Sequence, residues 1–188
     1  MKNRYFSKLT ALVFLLLAFS ALSLDLSAQS KKDRKLAEQL VKDADKAFSQ
    51  KNYRLALDQY TQSVTLVPKN AYAHYRKGFA HYYLKEIDLA IPEFDLALAQ
   101  GYKPVEILKV RWQLHSEKKN YDAAIADLKQ LANAEPNNAD YLVGVAETNF
   151  EKGSFQEAVD AFQKAILKVP GNGNLFYKLA LAKSKLAY

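Results

Sequence analysis

The chain has 188 residues, 27 Lys and Arg against 20 Asp and Glu for a net charge of +7, and no cysteine. The lack of thiols excludes a disulfide framework, thiol catalysis and thiolate metal sites. The basic residues are scattered at helix-surface spacing apart from Lys31, Lys32, Arg34 and Lys35, so they form no stripe along which nucleic acid could lie, and no nucleic-acid partner is expected.

Lys2, Arg4 and Lys8 precede an apolar run from Leu9 to Leu24, and Ser27-Ala28 offers small residues for cleavage. This pattern predicts a secretory signal peptide over 1–28 and export to the periplasm or beyond, with outer-membrane association as one destination. An uncleaved anchor is the competing reading, but the run stops at Asp25 and falls short of the roughly 20 residues a spanning helix needs. Leu26 is larger than a cleavage site usually wants two positions before Ala28, so the cut position stays open. No membrane span is expected after cleavage. Residues 29–36 form a basic lead-in, read as a solvated first turn or disordered lead-in, with an anionic membrane surface as the alternative partner for its charges.

From residue 37 onward the chain repeats. Ala56, Ala90, Ala124 and Ala158 are spaced by 34 residues. Three residues before each alanine stand Tyr53, Ile87, Tyr121 and Phe155, and four residues after each stand Tyr60, Phe94, Leu128 and Phe162. Large and small residues alternating at fixed offsets let antiparallel helices interlock. The polar turns Lys51-Asn52-Tyr53, Lys85-Glu86-Ile87, Lys119-Asn120-Tyr121 and Gly153-Ser154-Phe155 separate two helices in each unit. Asp88 and Asp122 lie where an N-cap or first-turn acid is favourable. Pro68, Pro136 and Pro170 close the second helices, because proline cannot continue one.

This period and helix–turn–helix pattern resemble the tetratricopeptide repeat (TPR) family. The resemblance implies an all-α fold, a right-handed superhelical solenoid of stacked antiparallel helix pairs. Four units tile 37–70, 71–104, 105–138 and 139–172, and 173–188 forms a capping or truncated fifth-unit helix. On that helix Phe176, Leu179, Ala180 and Leu186 follow the packing pattern, while Lys178, Lys183, Ser184 and Lys185 offer a polar outer face. The family's small residue at the eighth position appears as Ala44, Gly78, Ala146 and Ala180, but the third unit has Trp112 there. An indole where backbones nearly touch predicts that this unit tilts or rotates. The preceding junction, Gly101-Tyr102-Lys103-Pro104, also departs from the pattern. Pro92 is expected in or just past the first turn of its helix, at a loss of no more than one backbone bond.

No glycine-rich phosphate loop or convergent catalytic set is present, so no enzyme, cofactor or metal is expected. His74, His81 and His115 fall at positions the family fills with packing aromatics, and packing or hydrogen bonding is preferred to a metal site. The resemblance also implies that the first helix of each unit lines a concave groove. Its positions in the first unit include Asp45 and Phe48, in the second Tyr72, Tyr75, Phe79, Tyr82 and Tyr83, in the third Lys109, and in the fourth Glu147, Phe150 and Glu151. The second unit is the most aromatic and is flanked by Arg76. Tyrosine suits recognition of another chain, and Tyr72 and Tyr83 are the expected exposed members; the alternative is that Tyr75, Phe79 and Tyr82 pack between units. The lysine–asparagine carboxylate clamp of some relatives is absent, since Val41 and Asp45 occupy its first positions. The expected function is an exported, non-enzymatic scaffold that holds a peptide segment or partner protein and supports assembly of a cell-envelope complex. The alternative is the N-terminal adaptor module of a longer outer-membrane or peptidoglycan-associated protein linked to secretion, which the layout of signal peptide and lysine-rich repeats resembles.

Overall fold

The computed structural model describes residues 30–187, so the segment read as a signal peptide lies outside it. Among the described residues every regular element is an α-helix. They are α1 (30–49), α2 (Tyr53–Leu66), α3 (Ala71–Tyr83), α4 (Ile87–Ala99), α5 (Pro104–Glu117), α6 (Tyr121–Ala134), α7 (Asp140–Lys152), α8 (Phe155–Lys168) and α9 (Gly173–Leu186). The described residues divide into two compact units, the first ending at Leu84 and the second starting at Lys85. Helix α1 is already formed at residue 30, so Lys31, Lys32, Arg34 and Lys35 are exposed on its solvated first turns, and residues 30–36 belong to the helix.

Local chemistry sets the helix ends. The side chains of Asn52, Asn70 and Asn172 accept hydrogen bonds from Leu55, Ala73 and Asn174 backbone N–H groups, satisfying donors that a helix start leaves open. The tight turns use a left-handed residue. Lys51, Lys85 and Lys119 take φ of 61°, 64° and 58°, and Gly153 takes 85° at the same repeat position. In three of the turns the next residue's N–H reaches back to a carbonyl five residues earlier: Asn52 to Ala47, Asn120 to His115 and Ser154 to Asn149. α2, α6 and α8 end two residues before Pro68, Pro136 and Pro170. Pro92 is the sixth residue of α4, which runs on through it. Only the bond that its missing N–H would give to the Asp88 carbonyl is lost.

In the first unit Ala44, Ala47, Ala56, Tyr60 and Ala73 form the core, with Val41, Phe48 and Val64 packed around it. The alanines let α1, α2 and α3 approach closely, and Tyr60 fills the remaining space. The buried Ser63 hydroxyl donates to the Ala37 carbonyl over 3.0 Å and ties α2 to α1. In the second unit one continuous core runs from Leu108 and Ile125 through Leu128, Leu131, Val145 and Phe162 to Leu175 and Ala182.

Trp112 is half-buried against that second core. The helix carrying it, α5, meets α4 more sparsely than α7 meets α6 or α9 meets α8. Between α4 and α5 both Gly101 and Lys103 are left-handed, at φ of 71° and 39°. The irregular junction and the indole thus coincide with the loosest helix-to-helix step in this unit. A buried ion pair closes α5 on α6 instead: Arg111 Nε donates to Asp127 Oδ2 at 2.8 Å and Nη2 to Oδ1 at 2.5 Å.

Helix α9 departs from the expected pattern. Leu175 and Ala182 are its buried residues and Leu179 is half-buried, whereas Phe176, Ala180 and Leu186 are exposed. The expected polar outer face is interrupted by Phe176, Tyr177, Leu181 and Leu186. The eighth position of the unit, where Ala180 stands, matters only where another helix follows to press on it, and none does within 30–187.

Candidate partner-binding surface

Seven of the eight candidate residues belong to the first unit, and the structure sorts them into two layers. The inner layer is a polar knot around Asp45 on α1. Its carboxylate accepts from the Tyr60 hydroxyl, from Tyr72 Oη at 2.7 Å and from Arg76 Nε at 3.0 Å. Arg76 Nε also lies 3.1 Å from Tyr60 Oη, and its guanidinium carbon stands 4.0 Å above the Phe48 ring. Burial, then the hydrogen bond to Asp45, raise the Tyr60 hydroxyl well above its usual value, so it stays a donor at any physiological pH. Tyr72 is therefore half-buried and bonded, not an exposed reader. The charge of Asp45, whose side chain is 33% exposed, is compensated within the unit by Arg76.

The outer layer is aromatic. Tyr83 stacks on Tyr53 with centroids 4.7 Å apart and planes 9° from parallel. Phe48 meets both edge-on, at 5.1 Å from Tyr53 and 5.6 Å from Tyr83. Tyr82 packs edge-to-face on Tyr83 at 5.3 Å, and Phe79 joins Tyr82 at 6.3 Å and Tyr75 at 5.0 Å. Tyr83 is 47% exposed, an unusual setting for a ring this well ordered by its neighbours. Such pairs each add about 0.5–1.5 kcal/mol beyond burial, so the array is a pre-formed surface rather than a set of mobile side chains.

Tyr53 was not among the candidates, because the repeat rule places it on the second helix and assigns it to packing. Its signal was in the columns: Phe48 and Tyr53 stand five residues apart across a tight turn, as Phe150 and Phe155 do in the fourth unit. The latter pair also meets edge-on, at 5.4 Å. Lys109 lies in the second unit, on α5, where its ammonium pairs with Glu135 at 2.7 Å and the Tyr141 hydroxyl donates to the other oxygen at 2.8 Å. These hydrogen bonds, Lys109 first, hold the Glu135 carboxyl below its usual range. Lys109 is engaged in a structural pair and is not joined to the aromatic layer by any feature of its own unit.

The histidines serve the fold. His74 is buried with Nε2 2.9 Å from the Pro68 carbonyl, and His81 is buried in α3. Among the described residues no cluster of His, Asp or Glu has the form of a metal site, and no helix is long and apolar enough to cross a membrane.

Helical hairpins on a 34-residue period, with alanine columns inside and an ordered aromatic surface outside, define a repeat scaffold for protein–protein interaction. The tetratricopeptide repeat model matches residues 42–102 and 113–173. The chain belongs to the tetratricopeptide repeat family, whose members are generally non-catalytic scaffolds. The ten unmatched residues between the two segments contain Lys103 and Trp112, the irregular junction. Among curated proteins it is similar to small glutamine-rich tetratricopeptide repeat-containing protein 2 of Saccharomyces cerevisiae, 35% identical over 63 residues, which are 34% of this chain and 18% of that one. The protein of the same name from Mycosarcoma maydis is 26% identical over 158 residues, 84% of this chain and 35% of that one. The chain thus matches about a third or less of the length of these relatives. Among solved structures, YrrB, described as a TPR protein with an unusual peptide-binding site, superposes with TM-score 0.63 at 18% identity, covering 77% of this chain and 75% of its own. MamA superposes with TM-score 0.65 at 16% identity, covering 81% and 84%.

Proposed function

We propose that the protein is an exported, non-enzymatic scaffold that captures a peptide segment or partner protein on the aromatic surface of its first unit. The observation that carries this reading is the Tyr53–Tyr83 stack, ordered by Phe48, Phe79 and Tyr82 yet left partly open to solvent. Ordered aromatics present large contact area at low entropic cost, as binding hot spots do. The peptide-binding site in the description of YrrB supports the same use of this fold. Export and a role in assembling a cell-envelope complex rest on Lys2, Arg4, Lys8 and the apolar run that follows them. Membership of a longer envelope protein as its adaptor module is the second reading; its support is that the segments this chain matches make up only 18% and 35% of the curated relatives.

The test is capture from envelope extract with the full chain and with Tyr53→Ala, Tyr82→Ala and Tyr83→Ala variants. These residues lie outside the Asp45 knot, so helical circular dichroism is expected to persist while captured partner falls at least tenfold. Undiminished capture by the folded triple variant would overturn the surface assignment. Cell fractionation with N-terminal sequencing of the mature chain tests export, and recovery of an uncleaved cytoplasmic chain would refute it.

A further inference from the structure

A cavity in the second unit differs in chemistry from the aromatic surface of the first. It occupies about 300 Å³ between α7 and α9, with Phe162 of α8 beneath it. That volume is at the lower limit of ligand pockets and suits one side chain of a larger partner better than a free metabolite. Phe150 and Tyr177 line it, and Leu181 completes the apolar lining. The Phe150 ring is fixed by its edge-on contact with Phe155 at 5.4 Å. Tyr177 is 68% exposed.

The lining includes two carboxylates and one cation. Glu147 on α7 is paired with Lys178 on α9, which neutralises it. Glu151, one turn further along α7, is exposed and has no ion pair or hydrogen bond among the described residues. The cavity therefore offers apolar and aromatic walls for a hydrocarbon stem and one uncompensated negative charge for its tip. We propose that it takes a Lys or Arg side chain from a bound polypeptide. The stem packs against Leu181 and Phe162, the charged head lies against the ring faces of Phe150 and Tyr177, and Glu151 supplies the counter-charge. A neutral apolar side chain would fill the same walls but remove water from Glu151 without replacing its hydrogen bonds. An acidic one would be repelled. The inference rests on the scaffold reading, but on none of the aromatics of the first unit.

The test uses the full chain and two fluorescein-labelled nonapeptides, Gly-Ser-Ala-Leu-Arg-Leu-Ala-Ser-Gly and its twin with citrulline in place of arginine. Citrulline keeps the shape and removes the charge. The arginine peptide is expected to bind at least tenfold more tightly, with amide NMR shifts at Glu151, Tyr177 and Leu181. Glu151→Gln is expected to bring it down to the level of citrulline with circular dichroism unchanged, while substitution of the solvent-facing Leu167 by Ala has no effect; the absence of shifts at Tyr53 and Tyr83 separates this site from the first-unit surface. Equal binding of the two peptides, or shifts confined to Tyr53 and Tyr83, would overturn the proposal. Self-association of the unliganded chain that survives Glu151→Gln and blocks the arginine peptide would also overturn it, because the cavity would then be covered without a basic side chain.

Discussion

Replacing Arg111 by methionine should be among the most damaging single changes on the surface of α5. Asp127 is 2% exposed, and Arg111 meets both of its oxygens, at 2.8 and 2.5 Å. The third contact, Nη1 to Asp95 at 2.5 Å, involves a carboxylate 53% exposed and is worth at most about 1 kcal/mol. Methionine retains much of the arginine stem but leaves the Asp127 carboxylate buried without a partner. Breaking a buried pair in this way costs roughly 3–5 kcal/mol. With an m-value of about 2 kcal/mol per molar in urea, the unfolding midpoint should fall by roughly 2 M. The chain has one tryptophan, Trp112, half-buried in the same unit, so its fluorescence reports unfolding of that unit directly. The double substitution Arg111→Met with Asp127→Leu should recover most of the loss, since an apolar pair of similar volume is neutral or better at such sites. A fall below about 1 kcal/mol for the single variant would refute the argument, as would a double variant no more stable than the single.

Lys51→Gly and Lys119→Gly should each raise stability by about 1 kcal/mol, because a left-handed residue with a Cβ costs about that much and glycine does not. The melting temperature should rise roughly 2–4 °C per substitution, and a fall would show that the lysine side chains contribute more than the strain removes. His115 has its Nδ1 buried without a partner, and burial lowers its pKa despite the opposing influence of Asp127 and Asp95; Arg111 acts in the same direction as burial. Protonation thus favours the unfolded chain: the stability is complete above the unfolded value of about 6.5 and is lost as pH falls through the lower folded value. His115→Phe should flatten this part of the pH–stability curve, and an unchanged slope between pH 7 and 5 would contradict the assignment. Glu135, held below its usual range by Lys109 and then Tyr141, contributes stability present above the unfolded value of about 4.3 and lost as pH falls through the folded one. Glu135→Gln should remove that acid-side component in urea titrations at pH 3 to 5.

The architecture was legible because hydrophobic periodicity and turn chemistry repeat four times. Ala56, Ala90, Ala124 and Ala158 are all fully buried, and the prolines stand just beyond their helices as their missing N–H demands. The site was legible only as a composition of one helix. Which tyrosine is a reader and which is structural depends on partners far apart in sequence. Tyr72 hydrogen-bonds across 27 residues to Asp45, and Tyr83 stacks across 30 residues on Tyr53. No periodicity carries that information. The repeat rule also misjudged α9, because Phe176, Ala180 and Leu186 would be buried only by a following helix. Lys109 matched a groove position, but its charge is taken up by Glu135 from the end of the next helix.

The central claim, that the Tyr53–Tyr83 surface is where a partner chain docks, is tested most directly by placing the photo-crosslinker p-benzoylphenylalanine at Tyr83 in the native host. The account predicts one discrete ultraviolet-dependent adduct from this position and none from the solvent-facing Leu167, which is 83% exposed. The same faint smear from both positions, or a discrete adduct from Leu167 alone, would contradict it.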